Sequence, residues 1–158
     1  MGATFSRTYF LATSFAVSVA LLIAVRALAR REPPWRTAHV FRVIMIGAFS
    51  VGTCTHLENM WRAGLVLLPS QPLAFNVYWT SLTLLDPLAA FLLVTRPRAG
   101  LILGGAIMVS DVAINACAFP PRGAIQLEWA FWLQASFAAF LLSVSPSCWR
   151  SLNREPKA

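Results

Sequence analysis

The sequence predicts an all-α polytopic transmembrane bundle of five spans, with the N-terminus outside and the C-terminus inside. Three observations carry this expectation: a shortage of charge, five apolar segments of span length, and basic residues that sort to one side. Only 12% of the 158 residues are charged and 58% are hydrophobic, whereas soluble domains carry about 25% charged residues. So few charges cannot cover a water-facing surface, and a mean hydropathy of +0.64 agrees. At about 20 residues per span, the length allows four or five helices in a single transmembrane domain and leaves no room for a soluble one.

The first segment runs from about residue 9 to 29 and reads as an uncleaved anchor. Ala27-Leu28-Ala29 imitates a signal-peptidase site, but only Arg7 precedes the apolar stretch, while Arg26, Arg30, Arg31 and Arg36 follow it and hold that side in the cytoplasm. Glu32-Pro33-Pro34-Trp35-Arg36 is a turn. The second segment, about 38–60, is the weakest, because its uninterrupted apolar core from Val43 to Thr55 is short; residues 61–68 either extend it or turn back. Pro69-Ser70-Gln71-Pro72 breaks the chain before the third segment, about 76–95, which contains Asp86-Pro87. Arg96-Pro97-Arg98 is a tight turn into the fourth, about 99–119. Pro120-Pro121-Arg122-Gly123 leads to the fifth, about 125–145, and residues 146–158 form a tail.

Charge orients this set. With the first loop inside, Arg26, Arg30, Arg31, Arg36, Arg42, Arg96, Arg98, Arg150, Arg154 and Lys157 fall inside, leaving Arg7, Arg62 and Arg122 outside. This is a strong positive-inside bias, and removing any one span scrambles it. Trp35 and Trp149 fall at the inner boundary; Tyr9, Trp61, Tyr78, Trp79, Trp129 and Trp132 fall at or near the outer one, as an interfacial belt requires. Twelve of the thirteen basic residues are Arg, which points to a GC-rich bacterial genome and thus to the bacterial inner membrane. The net charge of +7 is a topology signal, since no RNA-recognition signature or basic aromatic face accompanies it, and nucleic acid is not an expected partner.

Small residues mark packing faces: Ala12, Ala16, Ala20 and Ala24 on the first segment, Ala48/Gly52 on the second, Gly100/Gly104 on the fourth and Ala135/Ala139 on the fifth. The three cysteines, Cys54, Cys117 and Cys148, form no CxxC pair and read as small buried hydrophobes, with Cys148 near the membrane face in reach of acylation.

Four of the six acidic residues, Glu58, Asp86, Asp111 and Glu128, lie within or at the ends of apolar segments. An acid at the bilayer centre costs about 2.5–3.5 kcal/mol, so a chain carries one there for a reason. Asp86 falls near the midplane and Asp111 slightly outward of it; His56, Glu58, Asn59, Asn115 and Glu128 fall in the outer quarter. Gly100, Gly104, Met108, Asp111, Asn115 and Ala118 share one helical face, Thr83 and Asp86 share another, and Thr55, His56 and Asn59 lie together. Pro87 lacks an N–H and leaves the Thr83 carbonyl without its helical partner. Glu58 is spaced to pair with Arg62. Glu128 and Gln134 are about 120° apart and cannot point at one spot.

The candidate ligand-binding pocket is therefore Asp86, Asp111, Asn115, His56, Asn59 and Thr83, in the outer half. No catalytic residue, cofactor or metal site is assigned: there is no HExxH, GxSxG, Walker loop or dinucleotide fingerprint, and His56 and Glu58 turn about 160° apart on a helix. Trp79-Thr80-Ser81-Leu82 superficially resembles part of a helix of the tryptophan-rich sensory proteins, and His56-Leu57-Glu58-Asn59 resembles a motif of membrane-associated eicosanoid and glutathione enzymes. The proline- and tryptophan-rich stretch of the first and the basic pattern of the second are missing, so neither transfers a function. The leading expectation is a non-enzymatic multi-pass protein of the lipid bilayer whose pocket binds a small ligand, a cation or a proton. One alternative is an accessory subunit, with a protein partner or as a homo-oligomer, whose acids are interhelical hydrogen-bonding glue. Another is an intramembrane lipid-modifying enzyme using Asp86, Asp111 or His56 for acid/base work.

Overall fold

The structure is a computed structural model and describes residues 34–65, 68–118 and 125–152. The expected first span, about 9–29, the Pro120–Gly123 turn and residues 153–158 lie outside the described residues. Four α-helices make up the rest, with no strand among the described residues: α1 (Pro34–Ala63), α2 (Leu73–Thr95), α3 (Pro97–Ala118) and α4 (Ile125–Ser151). Each contains a stretch long and apolar enough to cross a membrane, namely Arg36–Ala63, Leu73–Thr95, Pro97–Ala118 and Phe131–Ser151. That is the make-up of an integral membrane protein. The outward faces agree, since Val51, Leu84, Phe91, Val94, Ile102 and Leu133 are all exposed, Leu84 by 75%. In hydrocarbon a hydroxyl needs a partner within reach, and those of Ser50, Thr55 and Thr95 donate to the carbonyls of Ile46, Val51 and Phe91 one turn back.

Helix limits differ from the sequence expectation in two places. α1 is already helical from Pro34, the first described residue, inside the expected turn, where a proline in a first helical turn costs no helical bond. It then runs without a break through Ala63, and Gly64 ends it at φ +78°, donating its N–H to the Met60 carbonyl at 2.8 Å. α4 continues through Pro146 to Ser151, where a tail was expected. The proline removes one helical bond, but Leu141, Val144, Cys148 and Ser151 are buried on both sides of it and hold the helix in line.

The helices close a ring in which α1 packs on α2 and α4, and α3 packs on α2 and α4. Heptad-like stripes face inward: Ala38, Phe41, Met45 and Phe49 on α1; Leu82, Ala89 and Leu93 on α2; Leu101, Ile107 and Met108 on α3; Ala138, Leu141 and Val144 on α4. Phe49 reaches the ring's centre and lies against Gly104 of α3, where an added Cβ would stand 2.9 Å from its ring. Phe41 meets Phe140 edge-on at 5.9 Å, and Phe49 meets Phe137 at 5.8 Å, closing the α1–α4 seam. Gly100 allows the tight α2–α3 turn, with the Leu93 backbone nitrogen only 2.5 Å from where its Cβ would be.

At the opposite end the chain folds back over the bundle. The buried Asn76 side chain accepts from the Leu68 N–H at 2.8 Å and donates to the Leu68 carbonyl at 2.9 Å and the Gln71 carbonyl at 3.2 Å. Thr80 Oγ1 donates to the Leu65 carbonyl, and Gln71 Nε2 to the Ala118 carbonyl at the end of α3. One buried amide thus satisfies backbone groups that a loop at this depth would otherwise leave unpaired.

Candidate functional site

The polar side chains gather in the half of the bundle nearer the 64–72 connection. On α1 the inward stripe continues from Phe49 to Gly52 and His56. On α2 it passes from Leu82 to Asp86, which is 5% exposed. The packing of α1 on α2 brings His56 Nε2 to 3.7 Å from Asp86 Oδ2. Gly52 makes this approach possible: the Asp86 carboxylate lies against it where any other residue would carry its Cβ. His56 Nδ1 and the hydroxyl of Thr83, one turn from Asp86, are both buried without a hydrogen-bond partner. Such groups are rare in folded proteins.

Asp111 on α3 has a different setting. Its Oδ1 accepts from Asn115 Nδ2 at 3.1 Å; the same amide donates to Gln134 Oε1 of α4 at 2.7 Å; and Asn115 Oδ1 accepts from Trp79 Nε1 of α2 at 3.0 Å. The Asn115 amide therefore uses both donors and its acceptor, tying three helices together. Tyr78 shares a 2.8 Å hydrogen bond with Ser110 and lies 3.2 Å from the Ile107 carbonyl, a second α2–α3 tie. Among the described residues, His56 is the one side chain near the two acids able to carry a balancing positive charge, since Arg62 is exposed and paired with Glu58 at 2.6 Å.

Of the expected pocket residues, the structure brings His56 and Asp86 together at the α1–α2 contact, places Thr83 one turn from Asp86 on α2, and pairs Asp111 with Asn115 on α3. Asn59 does not join them. It is exposed, as is Thr55, so the expected grouping of Thr55, His56 and Asn59 is split by the helix's rotation, with His56 alone turned inward. Glu58 with Arg62 is the surface ion pair that their spacing indicated. Trp79 is a second correction: expected in the interfacial belt, it is buried and bonded to Asn115, whereas Trp61, 91% exposed, and Trp132 fit a belt. The cysteines are a third. Cys148 is fully buried against the Ala38 carbonyl, which shields it from acylation, while Cys54 and Cys117 are exposed rather than packed inside. His39 is exposed, 3.4 Å from an Arg42 nitrogen.

Gln134, Trp79, Gly52 and Asn76 belong to the polar framework and were not among the expected site residues. Gly52 had a signal in its spacing from Ala48, which was read as close helix approach without a partner. Among the described residues no three His, Cys, Asp or Glu side chains converge where a metal ion could sit. No known protein family, curated protein or solved structure matches this chain.

Proposed function

We propose that this is a five-span protein of the bacterial inner membrane, N-terminus outside and C-terminus in the cytoplasm, whose bundle binds a proton or a small cation in its outer half. The observation that carries this reading is the approach of His56 Nε2 to Asp86 Oδ2 at 3.7 Å between two helices of an apolar bundle. An acid facing an imidazole at that depth is an expensive arrangement for mere cohesion, because each group loses its hydration. It is a natural one for a site whose charge changes when it loads and empties.

The site works by charge balance. With Asp86 ionised and His56 protonated the contact is neutral overall, and so it is with a neutral acid beside a neutral imidazole. Removing a proton leaves an unbalanced negative charge that a small cation can meet.

A second reading is favoured by the Asn115 hydrogen bonds: an accessory subunit in which polar groups hold helices together, worth roughly 1 kcal/mol per contact. It accounts for Asp111. It accounts less well for Asp86, which faces His56 beyond hydrogen-bond distance. The two readings separate by proton uptake of the purified full chain in lipid nanodiscs, read with a pH-indicator dye and repeated with sodium, potassium and magnesium salts. Asp86→Asn, at wild-type folded yield, is expected to remove proton uptake and any cation effect. Unchanged uptake in that variant sinks the binding reading.

A further inference from the structure

We propose that Asp86 and His56 hold one exchangeable proton between them, that Asp111 is a fixed part of the framework rather than a second exchange site, and that Gly52 positions the pair. This rests on the reading above that the bundle takes a proton or a small cation here, and it chooses between those occupants and between the two acids.

Donor count decides the occupant. Among the described residues, the α1–α2 contact offers one imidazole nitrogen facing one carboxylate, with the Thr83 hydroxyl one turn away. Tetrahedral metal sites take four ligands and hard cations six or more oxygens, so these groups fall short for either. They suffice for a proton. In transfer, the Asp86 Oδ2–H bond breaks as an Nε2–H bond forms on His56, leaving a carboxylate beside an imidazolium, with no change in total charge and no other reactant.

Partners decide between the acids. The Asp111 carboxyl is anchored through Asn115 to Trp79 and Gln134, so moving it or changing its hydrogen-bonding character disturbs α2, α3 and α4 together. Asp86 has no such anchor: it faces His56 and the bare backbone of Gly52. α1 contributes His56, its Glu58 being turned outward to Arg62; α2 contributes Asp86 and Tyr78; α3 contributes Asp111; and α4, among its described side chains, brings the uncharged Gln134. Among the described residues, His56 is thus the single base available to Asp86.

Gly52 is a positioning residue. A methyl there would occupy the space of the carboxylate and push Asp86 away from His56, without touching either group's chemistry.

The chain has two histidines, so His39→Gln leaves His56 as the only imidazole. In that background, ¹⁵N-histidine NMR of the full chain in nanodiscs follows His56 through a pH titration, and infrared difference spectroscopy follows the carboxyls. Asp86→Asn is expected to move the His56 midpoint by about one pH unit or more, the size of effect a neighbouring carboxylate has, and to erase the carboxyl band that changes with it. Asp111→Asn, at normal folded yield, should keep the coupled His56 and carboxyl changes and move the His56 midpoint by less than Asp86→Asn does. Gly52→Ala should uncouple the His56 and carboxyl changes while both groups still titrate. A midpoint unmoved by Asp86→Asn, or moved equally by Asp111→Asn, overturns the proposal while proton binding by the bundle stands. A coupled titration unchanged in Gly52→Ala overturns the positioning role; should that variant fail to fold, the comparison of Asp86→Asn with Asp111→Asn decides. Absence of any titrating carboxyl sinks this inference and the proposed function together.

Discussion

Asn115 and Asp86 show how two polar residues in one bundle come to have different duties. Asn115 spends both its donors and one acceptor position on protein: Asp111, Gln134 and Trp79. Replacing it with Leu strands an indole N–H and two acceptors in an apolar interior. The expected loss is about 1–2 kcal/mol, readable as a lower midpoint in detergent-induced unfolding. Gln134→Leu removes one of those bonds, and its loss should be the smaller of the two. Asp86 and Asp111 were both legible in the sequence as costly buried acids, and the inward face holding Gly100, Gly104, Met108 and Asp111 was legible from spacing. Their different partners were not. Helical periodicity states which way a side chain faces on its own helix, but Trp79 and Gln134 arrive from α2 and α4, and nothing local records that meeting. Trp79 was misplaced for a related reason: depth near the boundary suited an interfacial ring, and its bond to the Asn115 oxygen is a contact made across helices.

The connection between α1 and α2 turns on one buried amide. Asn76 binds the backbone of residues 68 and 71 while sitting in the first turn of α2. Asn76→Ala is expected to raise amide hydrogen exchange at residues 65–71 well above wild type while α1 and α2 keep their protection. Equal loss of protection along both helices would show that the amide supports the bundle rather than the connection. α1 itself was the least secure span in the sequence, because the run Val43 to Thr55 is short for a membrane crossing. The helix is nonetheless the longest of the four, at 30 residues. In its polar last turns Glu58 and Arg62 pair along the surface, and Gly64 supplies a clean stop. Sequence hydropathy registers the apolar core of a helix and misses polar turns that continue it.

At the scale of the molecule, the ring of four helices depends on close contacts across its middle. Gly104→Leu would drive a side chain into Phe49 and is expected to lower folded yield sharply in size-exclusion profiles, whereas the same change at Gly47, where nothing lies within 4 Å, should be tolerated. Five spans with the N-terminus outside predict that reporter fusions after residue 96 report cytoplasm, and those within 64–72 report the exterior; the reverse pattern would invert the bundle. The length of α1 has one more consequence. Its 30 residues span about 45 Å at 1.5 Å each, against a hydrocarbon layer of about 30 Å. The helix must therefore lean or project, and a lean pivots where Phe49 and Gly52 are pinned by α3 and α2. His56 stands one turn beyond that pivot, so a thicker or thinner membrane acts on it as on the end of a lever. Lipid tail length would then set how far apart the imidazole and the carboxylate stand.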